Sequence, residues 1–402
     1  MRPDRQQGML KNIGRHGCIA WLACLLAGPL AAQEEPLFTV GGFGTLGATR
    51  TTSRDADFVR DLSQAVGAKD KWDGRVDSLL GAQATLHLAP GLHGVAQAVS
   101  SYGYDQSFRP RLSWAYLKYE PNAQLALRAG RVGTEFFMLS DSRQVGYSYL
   151  TVRPPGDYFW HLPFSSINGA DVVAKMQLGE AIVQGKVYYG ISDERLALAD
   201  RVWKLEGSPM VGSYVEYQNG PWTARLSYAN IEFRHDLPLG PVLNAYLPPA
   251  LAKQAADYLA AGGTRSHYYS FGALYDRGPW QLQLMLNHVE QGSNAFQPSD
   301  AGYVLAGYRI GALTPYLGFS WVRSDRRGNT LNPVVAKIMA DSHAHQNTSL
   351  LGARWDVARN VALKAQWDHI DGEPASIFPY RRETPAWDGK MDVFSLTLDF
   401  VF

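Results

Sequence analysis

The sequence predicts an all-β fold, an antiparallel β-barrel of about sixteen strands that spans a membrane. Three observations carry that expectation: segments of about ten residues that alternate apolar and polar side chains, connections that are alternately tight and long, and a composition rich in glycine and aromatics. The 402 residues include 39 Gly, 21 Tyr and 11 Trp with only 19% charged residues, which suits strands better than helices. No Pro/Ser-rich linker, charge block or low-complexity tract divides the chain, so one large domain is the simplest organisation. The formal charge of +1 speaks against a nucleic-acid partner, which would want a clustered basic surface.

The chain starts with a leader. From Met9 it reads MLKNIGRHGCIAWLACLLAGPLAAQEEP, with Lys11 and Arg15 as a positive flank, Cys18 to Ala27 as an apolar run and Leu30-Ala31-Ala32 as a cleavage site before Gln33. These are the parts of a secretory signal. The expected division is a signal peptide over 1–32, removed on export, and a single barrel domain over 33–402, with Met9 as an alternative start to Met1. Cys24 follows Leu22-Ala23, but it lies inside the apolar run rather than at its end, where a lipidated cysteine belongs. The run is too short for a transmembrane helix, and no other stretch approaches the roughly 20 apolar residues such a helix needs. Both cysteines, Cys18 and Cys24, lie in the leader, so the exported chain is held by its own ladder and core without a disulfide. Cleavage takes away four basic residues and one acidic one, leaving a net charge of about −2.

Strands are expected near 37–50, 77–88, 94–104, 109–119, 123–131, 168–178, 181–191, 209–218, 221–233, 266–276, 279–290, 301–310, 313–323, 347–356, 361–370 and 391–402. The short connections LAPGLH, YEPNA, QLGEA, YQNGPW, YDRGPW, IGALT and DVARN hold the Gly, Pro, Asn and Asp that tight hairpins use. The others run mostly from about seven to more than thirty residues, and the two kinds alternate. Short periplasmic turns and long external loops are the layout of a bacterial outer-membrane barrel.

Side-chain faces separate a membrane barrel from a soluble one. Trp280, Leu282, Leu284 and Leu286 oppose Gln281, Gln283 and Asn287; Trp222, Leu226 and Tyr228 oppose Thr223, Arg225 and Ser227. Sixteen strands enclose a lumen too wide for side chains alone to fill, so polar faces inward and apolar faces outward fit a water-filled pore in lipid. Trp222, Trp280, Trp321, Trp355, Trp367, Tyr217 and Tyr275 fall near strand ends, as interfacial girdles do. The last strand, VFSLTLDFVF, puts Phe394, Leu396, Leu398, Phe400 and Phe402 on one face, and it is expected to close against LFTVGGFGTLGATRT, leaving no open edge. Phe402 behind Phe400 and the alternating apolar residues also resembles the signal by which outer-membrane proteins are recognised by their assembly machinery.

The stretch RLSWAYLKYEPNAQLALRAGRV, Arg111 to Val132, resembles the strand-turn-strand before the constriction loop of Gram-negative general diffusion porins, with the same order of Arg-Leu-x-aromatic-Ala-x-Leu-Lys-Tyr, turn and Gly-Arg. A long third loop follows, GTEFFMLSDSRQVGYSYLTVRPPGDYFWHLPFSSIN. The Pro-Glu-Phe-Gly-Gly run of enterobacterial porins is absent from it. The resemblance implies a sixteen-stranded, trimeric barrel in outer-membrane lipid, a passive channel for small hydrophilic solutes and ions that is narrowed by the inward loop 133–168. A channel selective for anions, carboxylates or sugars is the alternative, and a barrel hydrolase or adhesin a remote one. No cofactor or metal is implied.

Alternation places Arg111, Arg128, Lys175, Lys186, Arg225, Arg309, Arg354 and Lys364 inward, against Asp77, Asp171, Glu216, Asp356, Asp368 and Asp399. The long loop adds Glu135, Asp141, Arg143, Arg153, Asp157 and His161. The resemblance suggests a basic strip of Arg111, Arg128 and Arg131 facing Glu135 and Asp141, with Arg143 and Arg153 as further constriction residues. Lys175, Lys186, Arg225, Arg309, Arg354 and Lys364 are the lumen-wall candidates. Phe136, Phe137, Tyr147, Tyr149, Tyr158, Phe159 and Trp160 serve either as a stacking slide for sugars or as anchors of the loop to the wall. Tyr246 to Gly263 reads as a Pro-started helix in an external loop, a lid or subunit contact.

Catalysis has little support in the sequence. WDHIDG and ADSHAH bring Asp368 and His369, and Asp341, Ser342, His343 and His345, close together in sequence. A triad is defined by geometry rather than proximity in sequence, and neighbours in a strand point to opposite faces. His343 and His345 alone are too few ligands for a specific metal site.

Overall fold

The computed structural model describes residues 36–159, 162, 164–198, 201–324, 332–340, 343–374 and 380–402. The expected leader, Trp160, His161, Asp341 and Ser342 lie outside them. Sixteen antiparallel strands close into one barrel. They are β1 (Phe38–Thr51), β2 (Leu79–Ala89), β3 (Leu92–Ser101), β4 (Arg111–Asn122), β5 (Leu125–Gly133), β6 (Ser166–Leu178), β7 (Ala181–Ile191) and β8 (Pro209–Asn219). The second half comprises β9 (Trp222–Glu232), β10 (Arg265–Arg277), β11 (Trp280–Gln291), β12 (Ser299–Tyr308), β13 (Leu313–Ser324), β14 (His345–Ala358), β15 (Val361–Gly372) and β16 (Lys390–Val401). Every expected strand is present, and each pairs with its sequence neighbour.

Tight turns set the register at one end. Six of them turn through a left-handed residue, Gly91, Gly179, Gly220, Gly278, Gly311 or Asn360, with φ between 56° and 72°. Only glycine enters that region without strain, and Asn tolerates it. At the other end the loops carry helices over Gly240–Tyr246, Pro249–Tyr258 and Pro333–Ala340, and two ribbons, Arg195–Leu198 with Arg201–Lys204 and Asp57–Phe58 with Tyr380–Arg381. The helix expected over Tyr246 to Gly263 starts at Pro249, in the first-turn position where a missing N–H costs nothing.

The seam depends on glycine. β16 pairs with β1 from Phe43↔Val401 to Thr51↔Val393, and Phe402 exchanges both backbone hydrogen bonds with Gly42. The Phe402 ring lies over Gly42 and the Phe400 ring over Gly44; a Cβ on either glycine would come within 2.4 Å of a ring carbon. Large rings covering bare backbone close the barrel without a gap.

The outward faces are as expected, with Leu226, Leu317, Leu351, Trp222, Trp280 and Trp355 exposed. Aromatic pairs such as Trp222–Tyr275 (4.6 Å) and Trp280–Tyr308 (4.8 Å) sit beside the tight turns. The inward face departs from the expected polar lining. Tyr188, Tyr268, Met285, Tyr303, Leu305 and Tyr316 point inward and are buried together with residues of the third loop. They break the apolar-out rule because they pack against protein inside the barrel instead of facing water.

Replacing Leu317, outward and midway along β13, by Arg is expected to cost about 2–4 kcal/mol of folding free energy in lipid, whereas Gln283→Arg on the inward face of β11 costs less. Denaturant titration of the two variants folded into vesicles measures the difference.

Candidate functional site

Between β5 and β6 the chain leaves the wall and crosses the barrel interior, and buried charges hold it at two points. Near its start Glu135 meets Lys186 at 2.5 Å, Arg225 at 3.2 Å and Arg128 at 3.8 Å. Arg128 also forks onto Asp171 at 2.7–3.0 Å, and Arg225 pairs with Glu216 at 2.6 Å. Three cations therefore interlock with three carboxylates contributed by β5, β6, β7, β8, β9 and the loop. Further along, Arg153 reaches Asp77 at 2.7 Å, Asp368 at 3.0 Å and the Ser395 hydroxyl. Asp77 accepts from Thr49 as well.

The rest of the loop is tied mainly through its backbone. Lys364 donates to the carbonyls of Gly146 (2.7 Å) and Thr151 (3.0 Å), Arg354 to those of Tyr147 (2.7 Å) and Tyr149 (3.0 Å). The Val152 N–H donates to Gln366 at 2.9 Å, and Asn287 donates to the Tyr158 carbonyl at 3.0 Å. Such bonds satisfy an irregular backbone that water does not reach. Asp157 accepts from Ser320 at 2.5 Å and Gln346 at 2.6 Å.

Apolar packing completes the attachment. Phe136, Phe137 and Tyr158 are fully buried, and Tyr147, Tyr149 and Phe159 nearly so. The Phe136 ring meets Tyr268 edge-on at 5.0 Å, and Tyr158 meets Tyr303 at 5.4 Å. These rings anchor the loop; none of them is presented as a stacking surface.

The sequence-derived candidates divide accordingly. Glu135, Arg153, Lys186 and Lys364 are buried latch residues, not pore-lining groups. Arg128, Arg225 and Arg354 are partly covered and belong to the same latches. Arg131 is a correction: it pairs across strands with Ala115 and Asn168, faces outward and binds Asp193. Three residues beyond Arg128 on a strand is an odd step, which reverses the face. Arg111 is also displaced. It points inward but stands six ladder positions above Lys118, about 20 Å up the wall, and pairs with Asp105 at 2.9 Å at the loop end of β4. Arg143 donates to the carbonyls of Leu162 and Phe164. Arg309 pairs with Asp276 at 2.6 Å beside a tight turn, and Lys175 lies inward on β6 opposite Gln184.

One side of the interior stays open. Inward residues of β6 to β16 and β1 are mostly buried, by the third loop and by the segments around Phe58 and Tyr380, whereas Gln83, Thr85, His87, His93, Trp114, Tyr116, Lys118, Glu120 and Arg128 on β2 to β5 are partly exposed. Within the loop, Leu139, Asp141, Ser142, Arg143, Gln144 and Ser148 are also partly or fully exposed. Sequence reasoning singled out none of Trp114, Tyr116, Lys118 and Glu120. The signal was available, because Lys118 pairs with Arg128 across the strands and so shares its face.

Electrostatics explains the first latch. Burial alone would raise the Glu135 carboxyl, but Lys186, Arg225 and Arg128 outweigh it and hold the group at about 2, below the ordinary 4.5. Asp157, whose hydrogen bonds come from uncharged groups, is pushed up by burial.

The sequence-adjacent acid–imidazole pairs form no joint site. Asp368 faces inward onto Arg153, while His369 faces outward onto Asp392 at 2.9 Å. His343 and His345 both engage Glu373, at 3.1 and 3.5 Å.

A family model described as Gram-negative porin matches residues 19–384. No curated protein matches the chain. Among solved structures, the anion-selective porin from Comamonas acidovorans aligns at 14% identity with a TM-score of 0.56, covering 91% of this chain and 99% of its own. The outer membrane channel DcaP of Acinetobacter baumannii (12%, TM-score 0.58) and Salmonella typhi OmpF in complex with daunomycin (11%, TM-score 0.58) each cover 91% of this chain and 97% of their own. At these identities the likeness concerns the fold.

Arg153→Ala leaves Asp77 and Asp368 buried without their shared cation and is expected to destabilise the barrel by about 3–5 kcal/mol, read from denaturant midpoints. Glu135 has a folded-state pKa below its unfolded one, so its stabilisation is complete above about pH 4.5 and lost as pH falls toward 2. The stability gap between the parent and Glu135→Gln should therefore narrow between pH 4.5 and 2 in midpoints measured over a pH series.

Proposed function

The chain belongs to the Gram-negative porin family and forms a channel in the outer membrane, and on that premise we propose a passive diffusion channel whose free passage follows the β2–β5 wall past the loop edge at Asp141 to Arg143. The observation that carries this reading is the contrast in burial: inward side chains are mostly covered where the loop is latched, while nine on β2 to β5, from Gln83 to Arg128, are partly exposed. Charges along the passage are mixed. Lys118 pairs with Glu120 at 2.9 Å and Arg128 with Asp171, and the partly exposed loop residues Asp141 and Arg143 add one charge of each sign. Paired charges of both signs order water and favour small polar solutes over greasy ones, without the ladder of like groups that selection of one ion demands. Anion preference is the second reading. It has the support of Lys118, Arg128 and Lys175 on one wall.

Assembly as a homotrimer fits the outer surface. Outward residues of β2, β3, β5 and β6 include Ala82, Ala84, Ala96, Ala98, Ala129 and Ala174 and no Trp, Tyr or Phe, whereas strands from β8 to β16 present such rings. An aromatic girdle belongs where protein meets lipid headgroups, so the strands lacking it suit contact between subunits. Removal of residues 1–32 on export and recognition of Phe400 and Phe402 by the assembly machinery complete the proposed route to the membrane. Conduction, not catalysis, is the proposed activity, since buried Asp368 and outward His369 share no site.

Single-channel recording of the detergent-folded protein in a planar bilayer tests the proposal. Ohmic steps arriving in threes, with a small reversal potential under a salt gradient, are expected. Small steps blocked by one solute class would favour a selective channel, and no conductance would overturn the proposal.

A further inference from the structure

Two imidazoles meet on the open wall near the tight turn between β2 and β3. His87 and His93 are cross-strand partners on the inward face, with Nδ1 atoms 3.1 Å apart and rings at 85°. A shared proton explains a contact of this length. So does a preformed chelate. Two nitrogens each 2.0–2.1 Å from a metal ion lie about 2.9 Å apart at a right angle and about 3.4 Å apart at the tetrahedral angle, and the observed separation falls between these limits.

A second observation points the same way. Nε2 of His93, on the far side of its ring, faces Glu120 Oε2 at 3.8 Å, and Glu120 is itself held by Lys118 at 2.9 Å. A carboxylate behind a metal-bound imidazole is the usual partner that fixes its orientation and raises its basicity. The His93 side chain is 18% exposed and that of Glu120 36%, so the pair is reachable from the lumen. Neither diffusion past this wall nor the latching of the loop requires two histidines nitrogen to nitrogen.

We propose that His87 and His93 form a two-point clamp for a divalent transition-metal ion of the copper, nickel and zinc class, with Glu120 as the positioning residue and water completing the coordination. Among the described residues no group of three or more His, Cys, Asp or Glu side chains is arranged to hold a metal. The clamp therefore defines a class of metals and not one member of it, and its nitrogen donors disfavour calcium and magnesium, which take oxygen. A bound dication at this mouth places positive charge on the passage and lowers its conductance for cations.

Titration of the folded, detergent-solubilised protein with copper(II), followed by calorimetry and by nitrogen hyperfine structure in electron paramagnetic resonance, tests the clamp, with magnesium as the control. One copper ion per chain bound through two imidazoles is expected. His87→Ala and His93→Ala should each weaken it by about tenfold or more, and Glu120→Gln by about tenfold, while His343→Ala/His345→Ala leaves it unchanged. Should the alanine variants fail to fold, His87→Gln and His93→Gln preserve the polarity and approximate size of the pair. No copper binding by the parent, or binding that survives loss of His87 and His93, would overturn the proposal.

Discussion

Lipid offers no partner to a backbone N–H or C=O, so every peptide group in the membrane band must be satisfied by the chain itself. For a sheet the only complete solution is closure. β16 therefore has to reach β1, and it does so with a register that continues to Gly42 and Phe402. Glycines at 42 and 44 are what closure demands beneath the Phe402 and Phe400 rings. The tight turns, the strand count and the outward apolar faces all follow from the same constraint.

Closing sixteen strands creates a second problem, an interior wider than its own side chains can fill. The third loop occupies that space, at the cost of carrying irregular backbone and charges into it. Both are compensated locally. Carbonyls of the loop receive Lys364 and Arg354, and Glu135 and Arg153 are met by opposite charges from the wall. Apolar rings from loop and wall then exclude water around these bonds, which strengthens each of them. The result is a one-sided interior, latched along β6 to β16 and β1 and more open along β2 to β5.

Much of this was legible in the sequence because a strand has a fixed period of two. Alternation alone placed Asp171, Lys186, Arg225, Lys364, Asp368 and Asp399 on the inward face, where the register puts them. The same rule, applied strictly, excludes Arg131. What alternation cannot give is the path of a loop, because the partners of Glu135 and Arg153 lie 51 and 215 residues further along the chain in Lys186 and Asp368. Inward Tyr188, Tyr268, Tyr303 and Tyr316 were the readable hint. Large rings on a nominally wet face imply a protein surface opposite them.

The central claim is that the third loop stands permanently latched within the barrel. A cysteine pair at Leu150 and Gly307 addresses it directly, since residues 33–402 contain no native cysteine and a Cβ on Gly307 would lie 3.7 Å from Leu150 Cγ. The measurement is single-channel conductance of the Leu150→Cys/Gly307→Cys protein before and after reduction. A disulfide that forms readily and leaves conductance the same in both states is the predicted result. Failure of the pair to cross-link in the folded barrel, or a large rise in conductance on reduction, would contradict a loop held in place by its own latches.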